Sequence, residues 1–165
     1  MDTRTLLADD QLADVVATVL DNNDGIVEPI ARRIVDEAIR FVATAAAFPT
    51  VAITPSRVVD EGWHALILHT ALYANLCERL GGMFVHHYPE RPGPERHDDG
   101  VLTRTTTLME KAGYTVDYEL WTAPTKTLVP VAAQCSHTPK PGGCGPIRPG
   151  NCASHCSSAS GGTDG

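Results

Sequence analysis

The sequence predicts an all-α fold, a compact bundle of about four helices followed by an irregular C-terminal tail. Three observations predict it. Apolar residues recur at helical spacing in four separate windows, turn-forming Gly, Pro, Asn and Asp residues divide those windows, and the last thirty or so residues lack large apolar side chains. The expected division is a helical domain over residues 1–123 and an extended linker with a disordered, Cys-rich tail over 124–165.

Taken in order, Leu12, Val15, Val16, Val19 and Leu20 form the stripe of a first helix, and the DNNDG run from Asp21 to Gly25 stops it. A second helix is expected from an N-cap near Asp24, with Val27, Ile30, Ile34, Ala38, Phe41 and Ala45 on one face. It ends by Phe48, because the residue before Pro49 is pushed out of the α region. Thr54 then offers a cap, with Pro55 at the first helical position, for a third helix running to Leu80 and stopped by Gly81 and Gly82. Asp98 or Asp99 caps a fourth helix carrying Val101, Leu102, Thr105, Leu108, Met109 and Ala112, ended by Gly113. Beyond Trp121 lies a short β-compatible run, KTLVPVAA, and from Gln134 onward the only large aliphatic side chain is Ile147. Such a segment cannot offset an ordering entropy of roughly 1–2 kcal/mol per residue by burial.

Charge narrows the function. The chain is 165 residues long with a formal net charge of −7 and a pI near 5.4. Nucleic acid and anionic membrane surfaces both call for a dense basic surface, and this chain has none. The start, MDTRTLLADDQLADVV, has acids where a secretory leader has lysines, and no stretch is apolar for long enough to span a bilayer. A cytoplasmic protein is expected. In a reducing compartment the cluster of four cysteines between Cys135 and Cys156 points to metal or regulated redox chemistry rather than to a disulfide frame.

The densest chemistry lies in VVDEGWHALILHTALYANLCERLGGMFVHHYPE, Val58 to Glu90, which holds four of the seven histidines. At about 100° per residue, Val59, Trp63, Leu66, Ile67, Thr70, Tyr73 and Cys77 share the face expected to be buried, and Asp60 and His64 sit one turn apart at its edge. His69 projects well away from His64. His86 and His87 follow the Gly-Gly stop, and in an extended segment only one of the two can face the helix edge. A carboxylate with two or three imidazoles is the donor set of zinc, and also of iron, copper or nickel. Asp60, His64, His86 and His87 are therefore candidate ligands of a transition metal, zinc first, with copper or iron as alternatives. Three protein ligands leave a position for water, whose pKa a metal lowers towards neutrality. Glu61 is a weak counterpart of the glutamate base of metalloprotease helices, since it follows an aspartate and not a histidine. The competing bland reading is a surface Asp60–His64 pair with a polar His-His-Tyr-Pro turn, while Trp63, Tyr73 and Cys77 read as core.

Several blocks, EAIRF from Glu37 to Phe41, PSRVVDEGWHALILHTALYANLCERLGGMFVHHYPE and TRTTTLMEKAGYTVDYELW, resemble the glycine-rich domain-containing (GRDP-like) proteins of bacteria and plants over about residues 27 to 121. Asp60, Trp63, His64, Ile67, Leu68, Thr70, Tyr73, Cys77, His86, His87, Pro89 and Trp121 fall in step with that family's pattern. The resemblance implies that Asp60, His64, His86 and His87 belong to one feature, with His69 more freely replaced, and it supplies no activity. Ala38 departs from it, standing where relatives often carry an aromatic, and the tail is less glycine-dense than in many members.

The tail spaces its thiols as C-x8-C-x7-C-x3-C, with His137 and His155 interleaved. It lacks the paired short knuckles of a zinc ribbon. Cys135, Cys144, Cys152, His155 and Cys156 could capture Cu(I) or Zn(II), form disulfides, or serve a partner protein or modifying enzyme that matures the tail. An inert spacer is an equal alternative. Three functions follow from the whole sequence: a small helical transition-metal-binding protein, a metal-dependent hydrolase, or an interaction or precursor-type protein acting through its tail.

Overall fold

A computed structural model describes residues 5–88 and 99–122, and its regular elements are helices. Five helices appear among the described residues: α1 (Asp9–Asn22), α2 (Glu28–Ala47), α3 (Arg57–Leu68), α4 (Thr70–Arg79) and α5 (Asp99–Lys111), followed by a 3-10 turn at Tyr118–Leu120. No described helix is long and apolar enough to cross a membrane. The KTLVPVAA run and the cysteine-bearing tail lie outside the described residues.

α2 is the centre of the bundle and packs against α1, α3 and α5. Its burial is wider than a single stripe. Ala31, Ile34, Val35, Ala38, Ile39, Phe41, Val42 and Ala45 are all buried, as a helix covered by three neighbours requires, whereas Val27 at its cap stays exposed. The helix begins later than expected. Asn23 closes α1, with its side chain donating to the Val19 carbonyl at 2.9 Å, and Gly25 takes the chain through φ +87° before Val27 caps α2. Pro29 falls in the first turn, where its missing N–H costs nothing.

The expected third helix is two helices. Its cap is Ser56, whose Oγ accepts from the Val59 amide at 3.2 Å, and not Thr54. Thr54 is otherwise engaged, since its N–H donates to Thr105 Oγ1 at 3.1 Å and its carbonyl accepts from that hydroxyl at 3.0 Å. The chain then leaves helical geometry at His69 (φ −84°, ψ 65°), with no Gly or Pro to announce the break. Across the break His69 Nε2 lies 2.8 Å from Thr18 Oγ1 on α1, a tertiary hydrogen bond that local spacing cannot show. The break turns Thr70 out to solvent, against expectation, while Tyr73, Leu76 and Cys77 of α4 are buried.

α3 lies unusually close to α2. A Cβ at Gly62 would sit 2.8 Å from the Ile34 carbonyl oxygen and 2.9 Å from Ala38 Cβ, so only glycine fits. Ala38 is the small partner of that contact. An aromatic there would meet the α3 backbone.

The segment after α5 is held by a buried acid. Glu37 has no exposed surface, and its Oε1 accepts from Trp121 Nε1 at 2.7 Å and from the Asp117 amide at 3.2 Å. Its Oε2 accepts from Arg40 Nη1 at 2.8 Å. Arg33 adds a two-pronged pair with Asp117 (2.7 and 3.0 Å) and a bond to Glu119, which holds its guanidinium above the ordinary arginine range. Trp121 is thereby seated beside Phe41, ring centroids 6.4 Å apart.

Two outcomes test this packing. Gly62→Ala should lower the free energy of unfolding by about 1–3 kcal/mol, through overpacking against the α2 backbone, as read from urea denaturation. Glu37→Ala should cost about 3 kcal/mol by leaving the indole and amide donors buried without acceptors, and Glu37→Gln, which keeps one acceptor oxygen, distinctly less.

Candidate metal centre

The chain reversal that builds the site is written in two glycines. Gly81 and Gly82 adopt φ +119° and +78°, and the Gly82 amide donates to the Cys77 and Glu78 carbonyls at 3.1 Å each. Two successive left-handed residues are inexpensive only for glycine. Residues 83–88 follow outside helical geometry and return to α4, where Tyr73 Oη donates to the Val85 carbonyl at 2.6 Å. Val85 is buried completely and Phe84 partly, while the Phe84 ring packs edge-on against Tyr73 at 5.2 Å.

The rings of Phe84, His86 and Tyr88 meet in succession while Val85 is buried and His87 packs on Trp63, so side chains alternate as in extended chain and the two histidines part. His87 turns inward with Val85 and meets α3. His86 turns the other way, with its ring 4.8 Å from Phe84 and 6.0 Å from Tyr88. Of the four sequence-predicted ligands, three therefore converge. His87 Nε2 lies 3.3 Å from Asp60 Oδ1, and His64 Nε2 lies 3.8 Å from Asp60 Oδ2. One donor atom from each of the three falls within 4.8 Å of the others. His86 is not part of this group, and His69 stands apart on Thr18, as its helical position predicts. The tail candidates Cys135, Cys144, Cys152, His155 and Cys156 lie outside the described residues.

The Asp60 side chain is 4 % exposed, that of His87 13 % and that of His64 33 %. The site thus has a dry floor and one wetter side. The two imidazoles lie 4.6 Å apart at 57°, and the Trp63 indole forms a wall, its centroid 4.5 Å from that of His87 at 70°. Behind it Phe41 meets Trp63 edge-on at 5.1 Å. Burial pushes the His87 imidazole down to about 4, so the ring is neutral near pH 7 and carries one lone pair. Glu61, next along α3, has its carboxyl raised from the ordinary value by burial and by Asp60, against a lowering hydrogen bond with Asn23.

A good N–H···O bond is about 2.9 Å long, whereas the edge of a tetrahedron with bonds of about 2.0–2.1 Å is about 3.3 Å. The 3.3 Å contact is a long hydrogen bond that also equals that edge, and the 3.8 Å separation exceeds it. Two imidazoles with one carboxylate match borderline first-row cations.

Reading by sequence alone gave Trp63 and Tyr73 no role beyond the core, yet Trp63 Nε1 donates to Tyr73 Oη at 2.9 Å and Tyr73 Oη donates to the Val85 carbonyl at 2.6 Å. Glu37 was equally hidden in its EAIRF block. Its place on the apolar stripe, three residues after Ile34 and four before Phe41, was the signal for it.

No curated protein and no solved structure matches the chain. A family model described as UCP032817-like matches residues 5–109, a span that takes in α1 through α4, the Gly-Gly reversal and all three converging residues. Since that match covers well over half of the sequence, the chain belongs to the UCP032817-like family.

Proposed function

We propose that this is a transition-metal-binding protein in which Asp60, His64 and His87 hold one ion, zinc before copper or iron. The observation that carries the reading is the convergence of one nearly buried carboxylate and two imidazoles, from segments 27 residues apart, at ligand-like separations. Isolated surface acids gather near histidines often, but a carboxylate this buried needs a compensating charge or several donors. A divalent ion supplies that charge. Three protein ligands leave a further position open, and His64 marks the solvent side on which exchange would occur. An open position is also what a metal-dependent hydrolase requires, and that is the second reading, with a lowered water pKa as its chemistry. The same residues support the resemblance to glycine-rich domain-containing proteins, which we extend to a shared centre. We place the protein in the cytoplasm, and we retain a partner or modifying enzyme for the cysteine tail as a separate role.

Metal analysis of the purified full-length chain should find about one equivalent of zinc. Asp60→Asn, His64→Ala and His87→Ala should each weaken that binding by at least about 100-fold. His86→Ala, His69→Ala and a chain with Cys135, Cys144, Cys152 and Cys156 all changed to Ser should retain the ion. Loss of metal only in the cysteine-free chain would move the function to the tail, and no metal in any form would refute the proposal.

A further inference from the structure

The metal reading leaves one buried device unexplained, the relay from Trp63 through Tyr73 to Val85. Its polarity is fixed by chemistry. An indole nitrogen only donates and a carbonyl oxygen only accepts, so the Tyr73 hydroxyl must accept at 2.9 Å from Trp63 and donate at 2.6 Å to Val85. All three residues are buried, at 0 %, 1 % and 0 % exposure. The hydroxyl belongs to α4, the indole to α3 and the carbonyl to the extended run 83–88. One oxygen atom therefore joins the three segments that meet at the site.

What the relay fixes is where His87 stands. Val85 and His87 are two residues apart in extended chain and point to the same side, so pinning the Val85 carbonyl sets the height of His87 along α3. The donor of the relay, Trp63, is also the wall on which His87 packs, at 4.5 Å. A slip of the run by one residue would present His86 in place of His87 and turn Val85 out of the core.

We infer that Tyr73 is a positioning residue of the metal centre, acting through Trp63 and the Val85 carbonyl to hold His87 opposite Asp60. The inference rests on the metal reading proposed above. Partners of this kind, one step removed from a ligand, typically alter affinity by about 10–100-fold.

The test is a Co(II) titration of the full chain, read by visible absorption, for the wild type, Tyr73→Phe and Met109→Ala. Met109 is buried on α5, a helix that supplies neither a ligand nor a member of the relay, so its variant matches a loss of core stability. Tyr73→Phe should bind Co(II) about 10–100-fold more weakly with an altered ligand-field spectrum, whereas Met109→Ala should keep the wild-type affinity and spectrum. Equal binding by Tyr73→Phe and the wild type would overturn the inference and leave the metal reading standing. So would an equal loss in Met109→Ala, which would show a general effect of stability. Should Tyr73→Phe fail to fold, Trp63→Phe removes the donor while keeping a ring beside His87, and the same two results decide. If the wild type takes up no Co(II) or Zn(II), the metal reading fails by itself. The positioning role is then judged in the metal-free protein, by the nuclear Overhauser contacts between the Trp63 and His87 rings. Their loss in Tyr73→Phe supports the role, and their persistence overturns it.

Discussion

The contact on which the rest of the structure depends is the one at Gly62. The missing side chain allows α3 to approach the Ile34 carbonyl and Ala38 of α2, and that approach fixes the rotation of α3 about its own axis. Once Gly62 faces α2, helical geometry puts Val58, Val59, Ala65 and Leu66 into the core and brings Asp60 and His64 to the rim of the buried face. A helix held at a longer distance by an ordinary side chain would be free to roll. Asp60 could then reach water, where a carboxylate needs no partner. The close packing therefore creates the burial of Asp60, and the burial makes its surroundings chemically consequential.

Two buried carboxylates show what different surroundings mean. Glu37 is met by an indole N–H, a backbone amide and a guanidinium, three donors with hydrogen-bond distances of 2.7 to 3.2 Å. That constellation saturates a carboxylate and ties the segment around Trp121 to the central helix, which is a structural task. Asp60 is met by two imidazole nitrogens at 3.3 and 3.8 Å. Imidazole can be donor, acceptor or ligand, so these partners differ in chemistry from the three donors around Glu37. The first acid has a structural task, and the second stands among the donor types that the proposed metal reading uses.

Much of this was legible in the sequence wherever one local rule acted alone. The apolar stripes of α1 and α5, the end of α2 before Pro49, the Gly81-Gly82 stop and the pairing of Asp60 with His64 each follow from spacing within a single element. So does the separation of His69 from that pair. The break at His69 was illegible because its cause is a tertiary partner, Thr18, fifty-one residues away in the chain. Thr54 lost the capping position to Ser56 because Thr105 competes for its backbone, again from far along the sequence. The choice between His86 and His87 had to stay open for the same reason. Alternation says that only one faces inward, but which one depends on the register set by Val85 and Tyr73. The burial of Glu37 depends on Trp121, beyond any window in which an amphipathic stripe is read.

This dependence on register has a consequence for how the centre would form. Asp60 and His64 are adjacent on α3 as soon as that helix exists, and this two-residue half-site has little hold on a cation by itself. His87 arrives only after the helix has broken at His69, α4 has docked, the two glycines have reversed the chain and Val85 has entered the core. An ion shared by all three would therefore select the fully packed state over states in which 83–88 is detached, and would close the loop between Asp60 and His87 as a cross-link does. The converse also holds. Because the Tyr73 hydroxyl ties this run to α3 and α4, an ion bound there would meet His87 on a segment already held by hydrogen bonds. Coordination then need not carry the entropy of folding the segment, which is the physical difference between a preorganised centre and a flexible chain that gathers around its metal.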